Sequence, residues 1–249
     1  MNNEQITILD GESIDDLQRD GLRIIQKESE GFKFGMDAVL LSDFAKDTNA
    51  EQLMDFCTGT GIIPILLSAK SRVKNYIGID ILPDMIDMAS RSAQMNSLDN
   101  KIEFKCVDVN LVHESFSVHS FDAITCNPPY MKANANIKNI DDKKLVARQE
   151  IALTLDTMLC MAEKMLKFHG RLYMVHRPNR LSEIFVSMQN HNLAPKRMRM
   201  VYPKLDKAPT MVLIEAMARG GMDLRVEKPL ILRNADDTET EEVRVIYGR

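Results

Sequence analysis

The residues in this sequence best suited to chemistry form the tetrapeptide Asn127-Pro128-Pro129-Tyr130, which follows a short apolar run. Two consecutive prolines fix φ and remove two backbone donors, so the chain leaves the preceding strand as a stiff, extended turn. The amide oxygen of Asn127, the carbonyl oxygen of Pro128 and the ring of Tyr130 suit a planar substrate with an exocyclic amino group. A nucleobase and a carboxamide both fit that description, although the same residue types also form plain strand-ending turns.

A glycine-containing motif, residues 55–61, lies upstream at the end of the first strong predicted strand. Gly59 and Gly61 allow a ligand to approach the backbone closely, and the helix that follows directs its first N–H groups at that ligand. The rival interpretation is the dinucleotide-binding pattern G-x-G-x-x-G, but Pro64 occupies the place of its third glycine. Because proline suits the first turn of a helix, the motif predicts a ligand-binding turn without that fingerprint.

Two further carboxylates follow predicted strands. Asp80 ends a second strand 19 residues beyond Gly61, where a carboxylate is placed to accept both hydroxyls of a ribose. Asp108 follows a third strand. Each has a plainer alternative, since Asp80 could cap the next helix and Asp108 could be a turn residue. In an open parallel sheet the carboxyl ends of the strands form the ligand crevice, so we expect all four motifs to meet at one edge.

Short apolar runs alternate with helical patterns from Leu53 onward, which indicates an α/β fold with a doubly wound, mostly parallel sheet. The predicted strands are 53–57, 75–80, 102–107, 121–126, 171–176, 197–203 and 210–217. The predicted helices are 62–70, 83–96, 146–168 and 179–191. Asn96 and Gly170 are the predicted stops of two of these helices, a further helix begins at or just before Asp37, and residues 243–247 form a terminal strand.

Composition excludes several classes of protein. The chain has 249 residues, of which 45% are hydrophobic, enough for the core of one large α/β domain. No apolar run approaches the ~20 residues that span a bilayer, and the first ten residues are polar, so we expect a cytoplasmic protein without a membrane segment. The four cysteines and five histidines show no metal-ligand spacing, so no metal site is predicted.

Charge is unevenly distributed along the chain. The formal net charge is -4, yet residues 234–242, here called the acidic stretch, contain five acids and no base. Two other stretches could contact phosphates: the Lys- and Asn-rich segment 131–145, predicted to be a loop over the site, and the basic cluster 196–207. The bases of this cluster are Lys196, Arg197, Arg199, Lys204 and Lys207. Solvated surface charge explains such a cluster equally well.

The ordered series of motifs resembles the class I S-adenosylmethionine-dependent methyltransferases, in the amino-methylating branch marked by (D/N/S)-P-P-(Y/F/W). With Phe34-Gly35-Met36-Asp37, residues 12–220 are similar to the bacterial enzymes that methylate N6 of an adenine beside the anticodon of a valine tRNA. The resemblance implies a Rossmann-like methyltransferase fold with a seven-stranded sheet. Residues 46–249 would form the methyltransferase domain with a short acidic C-terminal appendage, and residues 1–45 an N-terminal extension packing on the cofactor site.

The resemblance also implies S-adenosylmethionine as cofactor and assigns roles to single residues. Asp55, Gly59 and Gly61 would lie against its methionine part. Asp80 would bind its ribose and Asp108 its adenine amino group. The implied cofactor-binding residues are Phe34, Gly35, Asp37, Asp55, Thr58, Gly59, Gly61, Asp80, Asp108 and Asn127. The implied catalytic residues are Asn127, Pro128, Pro129 and Tyr130.

An aromatic amino group is a poor nucleophile because its lone pair is delocalised into the ring. Hydrogen bonds to the Asn127 side chain and the Pro128 carbonyl would favour a pyramidal nitrogen, while Tyr130 stacks on the base. The expected partner is tRNA, contacted by segment 131–145 and the basic cluster, with no obligate protein partner. N5-methylation of a protein glutamine, amino-methylation of an rRNA base and a cofactor-binding module without catalysis are the alternatives.

Overall fold

The structure is a computed structural model that describes residues 6–27, 35–128 and 153–249. Phe34, Pro129, Tyr130 and segment 131–145 lie outside the described residues, and so does the first part of the helix predicted at 146–168. The predictions made for those residues therefore stay predictions.

A central nine-stranded sheet organises the described chain, with a separate two-stranded hairpin before it. The hairpin pairs β1 (Glu12–Asp16) with β2 (Arg23–Lys27) in antiparallel fashion. The strands of the central sheet are β3 (Gln52–Phe56), β4 (Asn75–Asp80), β5 (Ile102–Cys106), β6 (Phe121–Cys126), β7 (Leu166–His176), β8 (Leu193–Tyr202), β9 (Met211–Ala218), β10 (Arg225–Val226) and β11 (Leu230–Ile231).

The strand order confirms the predicted doubly wound, mostly parallel sheet. The seven long strands lie in the order β5-β4-β3-β6-β7-β9-β8, and β10 and β11 add two residues each to the outer edge of β8. Among these described strands, β9 runs antiparallel to both its neighbours, β7 and β8. The chain winds from β3 outward to β5 and then returns to the other side of β3 at β6. A reversal of this kind opens a crevice at the carboxyl ends of β3 and β6.

Helices cover both faces of the sheet, because successive strand residues point to opposite sides and each side is apolar. Leu53 packs into the hydrophobic cluster on one face, whereas Met54 packs into the cluster on the other. The described helices are α1 (Met36–Phe44), α2 (Ile62–Lys70), α3 (Pro83–Met95), α4 (Val112–Ser115), α5 (Leu155–Met165), α6 (Leu181–Asn190) and α7 (Glu241–Tyr247). Helices α1, α2 and α7 share the first cluster, and α5 and α6 the second.

Two predicted element boundaries are wrong. The helix predicted to reach residue 168 ends at Met165, and the chain enters β7 at Leu166, which pairs with Phe121 of β6. Gly170 therefore lies inside a strand instead of stopping a helix. A Cβ at Gly170 would approach the backbone oxygens of Lys167 and Asp122 to 3.0 and 3.2 Å, so a crowded strand contact accounts for the glycine.

Residues 243–247 were predicted to form a strand, but they belong to helix α7. The Thr240 hydroxyl accepts a hydrogen bond from the backbone N–H of Val243, and Gly248 closes the helix in a left-handed conformation at φ 79°. Val243 and Ile246, three residues apart, are both buried. The appendage is thus folded into the core that α1 and α2 share.

The hairpin of the predicted N-terminal extension packs on α3, the helix that follows Asp80. The backbone N–H of Ile25 donates to Ser92 Oγ at 2.9 Å, and Arg91 forms a 2.6 Å ion pair with the buried carboxylate of Glu12. The boundary at residue 45 stays a prediction. In the part of the chain that the structure describes, no helix combines the length and apolarity required to cross a bilayer.

Candidate active site

The predicted motifs meet at the carboxyl edge of the sheet. Asp55 lies opposite Gly78 on one side and Thr125 on the other, and Phe56 lies opposite Cys126. The turn that follows β3 and the Asn127-Pro128 segment that follows β6 therefore leave adjacent strands at the same level. Asp80 is the last residue of β4 and pairs with Cys106, the last residue of β5. Asp108 follows Cys106 by two residues.

The turn between β3 and α2 presents its backbone to open space. Cys57, Gly59 and Gly61 all have left-handed φ angles, of 55°, 54° and 84°. A Cβ built on Gly59 would meet no heavy atom within 4 Å, so the space beside this backbone is available to a ligand. Gly61 precedes the first residue of α2, whose free N–H groups face the same edge.

Asp80 holds the glycine turn in place. Its Oδ2 accepts the backbone N–H of Gly59 at 2.9 Å, and its Oδ1 accepts the backbone N–H of Leu82 at 3.1 Å. The alternative that Asp80 caps α3 is wrong, because the N-cap residue is Leu82 and the Asp80 bond to its N–H belongs to the turn before the helix. The Gly59 bond shows that Asp80 joins the end of β4 to the turn after β3. Burial raises the pKa of Asp80 above its ordinary value, although bonds from Gly59 and Leu82 oppose that shift.

Gly61 and Gly78 are required for close packing. A Cβ on either glycine would lie 2.5 Å from the ring of Phe104, and a Cβ on Gly78 would also lie 2.7 Å from Thr58 Oγ1. The roles of Gly78 and Phe104 were missed from the sequence. The one signal was a glycine inside a strand pattern, which often marks close backbone approach.

Asp55 lies beneath the site, fully buried within β3. The Thr125 hydroxyl on β6 donates to Asp55 Oδ1 at 2.6 Å, and both residues are completely buried. Burial raises the pKa of Asp55 to about 7, although the Thr125 bond acts in the opposite direction. Asp55 was predicted from the sequence but Thr125 was not, because its only signal is a polar residue in an otherwise apolar run.

Asp108 is half-buried beside the end of β5. Its Oδ1 accepts hydrogen bonds from the backbone N–H of Asn110 at 2.9 Å and from Asn110 Nδ2 at 2.8 Å. The alternative that Asp108 is a turn residue is therefore real, and Oδ2 accepts none of the hydrogen bonds described for this residue. That oxygen is suited to a donor such as an exocyclic amino group.

Asn127 and Pro128 are half-buried at the end of β6, directly after the fully buried Cys126. Gly35 precedes the first residue of α1, and Asp37 is a buried residue in the first turn of that helix. The predicted contacts of Gly35 and Asp37 with a cofactor stay predictions. Among the described residues no group of three His, Cys, Asp or Glu could hold a metal ion.

The basic cluster is largely paired with acids. Arg199 forms a 2.7 Å ion pair with Glu242, and Lys204 forms a 2.9 Å ion pair with Asp237. Both acids belong to the acidic stretch. Lys207 lies 3.5 Å from Asp206. The sequence showed the two charge clusters but gave no indication that they contact each other, because pairing depends on how the C-terminal segment returns to β8.

The carboxyl edge fits a nucleoside-containing cofactor. Gly59 leaves open space beside its backbone, and the half-buried carboxylates of Asp80 and Asp108 lie at the end of β4 and just after the end of the neighbouring β5. Hydroxyl and amino donors of a ribose and a base are the natural partners of such carboxylates. The arrangement follows the rule that ligands bind outside the carboxyl ends of strands where the winding of the sheet reverses.

Sequence comparison relates this chain to methyltransferases. A family model described as the methyltransferase small domain matches residues 35–192. A protein named tRNA1(Val) (adenine(37)-N6)-methyltransferase from Porphyromonas gingivalis is 26% identical over 189 residues, covering 74% of this chain and 73% of that protein.

Solved structures confirm the fold. A protein described as a predicted O-methyltransferase from Agrobacterium tumefaciens superposes with a TM-score of 0.68 at 17% identity, covering 85% of this chain and 95% of its own. Geranyl diphosphate C-methyltransferase from Streptomyces coelicolor, solved with S-adenosyl-L-homocysteine, gives a TM-score of 0.51 at 14% identity, with 72% and 74% covered.

Proposed function

Because this chain belongs to the methyltransferase small domain family, we propose that it transfers a methyl group from S-adenosylmethionine to N6 of an adenine in a tRNA. The family match confirms the predicted class of enzyme. The tRNA substrate is supported by the name of the Porphyromonas gingivalis relative, and an adenine beside the anticodon of a valine tRNA is the finer form of the proposal. One observation carries it: the glycine turn and Asn127-Pro128 leave neighbouring strands at the same edge.

The proposed cofactor site uses the residues of the carboxyl edge. Asp80 accepts hydrogen bonds from the ribose hydroxyls, while its bond to the Gly59 N–H keeps the glycine turn close to the cofactor backbone. Oδ2 of Asp108 accepts a hydrogen bond from the adenine amino group. Bound S-adenosylmethionine supplies an electrophilic methyl group on a sulfonium sulfur.

Asn127 and Pro128 act on the amino group that receives the methyl. The side-chain oxygen of Asn127 and the backbone oxygen of Pro128 each accept one N–H of the target, which orients the nitrogen lone pair. No strongly basic residue is required, because the amino proton becomes acidic only as the new N–C bond forms. Tyr130 is assigned the stacking face for the base on the basis of sequence alone.

Phosphate contacts by segment 131–145 and the basic cluster are the proposed means of holding the tRNA body. Contacts of this kind position an RNA without reading its sequence. Within the cluster, Lys196 donates to the backbone oxygen of Gly221 and keeps an exposed ammonium group, whereas Arg199 and Lys204 are in ion pairs with the acidic stretch. The cluster therefore offers fewer available charges than its sequence suggests.

The substrate is tested by incubating the enzyme with methyl-labelled S-adenosylmethionine and tRNA or total protein from cells that lack the gene. We expect label in tRNA and N6-methyladenosine in its nucleosides by mass spectrometry. Asn127→Ala should lower kcat at least about a hundredfold with cofactor affinity nearly unchanged, because the proposed role of its side chain in the reaction is to hold the nucleophile. The control Asn190→Ala, at the exposed end of α6, should keep full activity. Label in protein glutamine instead of tRNA would transfer the assignment to that alternative.

A further inference from the structure

A second cleft lies at the opposite edge of the sheet, where the parallel strands begin. It has a volume of about 480 Å³ and is lined by residues 47–50 before β3, Asp122 of β6, residues 167–171 of β7 and parts of β8 to β10. We call it the amino-edge cleft. Its volume is in the range of small-molecule sites. Ala50 lies two residues before β3 and Asp122 is the second residue of β6, so the cleft includes the amino ends of these strands, whereas the glycine turn follows the carboxyl end of β3.

The floor of the cleft is interrupted by a bulge in β7. Phe121 pairs with Leu166, and Ala123 pairs with Arg171. Between these two pairs β7 therefore contains three more residues than β6. The extra length carries Phe168 outward, where it is 67% exposed. His169 has a left-handed φ of 61°, which is strained for a residue with a side chain. Bulges of this kind commonly re-aim side chains beside functional sites.

Phe168 and His169 together form an aromatic platform at the mouth of the cleft. Their ring centroids are 4.0 Å apart and their planes are inclined by 32°. His169 covers one face of the Phe168 ring, and most of the remaining surface of Phe168 is exposed to solvent. An exposed aromatic ring beside a cationic rim is the arrangement with which proteins stack single nucleobases.

The rim of the cleft carries cations with unused donors. Arg171 donates to Glu215 through Nη1, and Arg225 donates to Glu227 through Nη2, so each guanidinium keeps further N–H groups outside the described hydrogen bonds. Their side chains are 34% and 71% exposed. Lys167 lies on the same rim in a 2.6 Å ion pair with Asp122.

Two of the acids in the lining, Asp122 and Glu215, are held by cations of the same cleft. Glu215 is held between Arg171 and Arg197, and Arg197 is itself fixed by a 2.6 Å bond to the backbone oxygen of Phe44. The lining contains four Lys or Arg side chains against the three carboxylates of Asp47, Asp122 and Glu215. Arg225 projects from the surface, whereas the acids that pair with the arginines, Glu215 and Glu227, are only 13% and 23% exposed, so the cation is the more accessible charge of this group.

We propose that the amino-edge cleft binds a phosphorylated nucleoside, with its base stacked on Phe168 and its phosphate bound by Arg171 and Arg225. Guanidinium groups match phosphate oxygens in charge and geometry. The ligand is either a free nucleotide or one nucleotide of an RNA chain, and the RNA form rests on the proposed tRNA substrate. This site is distinct from the cofactor site, because its lining includes neither the glycine turn nor Asp80, Asp108, Asn127 or Pro128.

Binding is tested by calorimetry with cytidine 5′-monophosphate, whose base differs from that of the proposed cofactor. We expect one equivalent to bind, equally well with and without saturating S-adenosylhomocysteine. Phe168→Ala should weaken binding about five- to hundredfold, the range found when a stacked aromatic is removed. Arg225→Gln should weaken it about tenfold or more, as loss of a charge-assisted hydrogen bond does.

Two variants at exposed positions outside the cleft serve as matched controls. Val186→Ala shortens an exposed apolar side chain on α6, and Arg244→Gln removes an exposed cation on α7. Both should bind the nucleotide as the unaltered protein does. No binding, displacement by S-adenosylhomocysteine, or equal binding of inorganic phosphate with no effect of Phe168→Ala would each overturn the proposal.

A second measurement distinguishes a free nucleotide from an RNA chain. If the cleft holds part of the tRNA, Phe168→Ala should raise KM for tRNA severalfold and leave the affinity for S-adenosylhomocysteine unchanged. If KM stays the same while cytidine 5′-monophosphate binding is lost, the ligand is a free nucleotide. Failure of the proposed transfer reaction would leave the calorimetric result intact, so the two proposals fail separately.

Discussion

At the scale of single residues, Asp80 connects two turns of the site. It accepts backbone N–H groups from both the glycine turn and the start of α3, and it ends the strand beside β3. A residue that only holds these two turns would matter for stability alone, whereas a ribose-binding residue would also matter for ligand affinity. The two roles predict different outcomes for the same substitution.

We expect Asp80→Ala to weaken S-adenosylmethionine binding at least tenfold in calorimetry, because charge-assisted hydrogen bonds contribute about 1.5–3 kcal/mol each. Asp84→Ala is the matched control, since Asp84 lies on the first turn of α3 with its side chain 72% exposed in an ion pair with Lys27. The control should retain cofactor affinity. Unchanged affinity in Asp80→Ala would refute the ribose assignment and leave Asp80 the purely structural role of holding two turns.

The raised pKa of Asp55 leads to a prediction about how folding stability depends on pH. Its pKa is about 7 in the folded protein against an ordinary value of 3.8, so between these values the folded state binds the additional proton. Stability from this group is therefore full below about pH 4 and is lost as pH rises to 7. His176, whose pKa is lowered to about 4 by burial, acts in the opposite sense below its ordinary 6.5. The Asp55 contribution must consequently be measured as a difference.

The quantity to measure is the difference in unfolding free energy between the unaltered protein and Asp55→Asn. Because Asn cannot ionise, the unfolding free energy of the variant relative to the unaltered protein should rise by a few kcal/mol from pH 4 to pH 7. A tenfold difference in proton affinity between the folded and unfolded states corresponds to about 1.4 kcal/mol. Denaturant unfolding at several pH values measures it. A pH-independent difference between the two proteins would show that Asp55 keeps an ordinary pKa when folded.

At the scale of elements, the hydrogen bond from Thr125 to Asp55 joins β3 to β6 directly below the site. The glycine turn begins two residues after Asp55, and Asn127 follows Thr125 by two residues. This buried bond fixes the relative position of the two segments on which the reaction depends. Thr125 is therefore a positioning residue and not a catalytic one.

Thr125→Val keeps the shape of the side chain and removes the donor. We expect kcat to fall about tenfold or more with little change in KM for tRNA, and a loss of stability of about 1–3 kcal/mol for the unpaired carboxyl. Thr125→Ser should restore kcat, because it restores the hydroxyl. Equal kcat in the Val and Ser variants after correction for folded fraction would mean that the bond serves stability only.

The elements also show what could be predicted from sequence. Strands β3 to β6 were predicted because each is a short apolar run followed by polar residues, and the glycines and acids of the site lie at those ends. The C-terminal helix was missed because Val243-Arg244-Val245-Ile246 has high strand propensity. Capping by Thr240 and burial of Val243 and Ile246 outweigh that propensity.

Contacts between distant segments could not be predicted. Thr125 and Asp55 are 70 residues apart, and Phe104 packs on Gly61 and Gly78 only because β5 and β4 are neighbours. Such pairs depend on strand order and register, which a single sequence determines only through the whole fold. The bulge in β7 could not be predicted for the same reason, since it is defined by which residues of β6 pair with β7.

At the scale of the whole molecule, the acidic stretch and the basic cluster occupy one surface. Glu242 forms an ion pair with Arg199, and Asp237 forms one with Lys204. The side chains of Glu242 and Asp237 are 52% and 72% exposed. Exposed ion pairs contribute little to stability. Their larger effect is to neutralise cations that would otherwise bind phosphates, so the appendage should weaken RNA binding and its dependence on salt.

We expect the double variant Asp237→Asn/Glu242→Gln to bind tRNA severalfold more tightly at low salt. The slope of log K against log salt should become steeper by about one to two, since each released cation adds one phosphate contact. Fluorescence anisotropy with labelled tRNA at several salt concentrations measures both. The control Asp99→Asn/Glu114→Gln changes two exposed acids that take part in none of the described ion pairs, and both double variants have a formal net charge of −2. An equal gain in the control would show that total charge, and not the pairing of Arg199 and Lys204, sets the affinity for RNA.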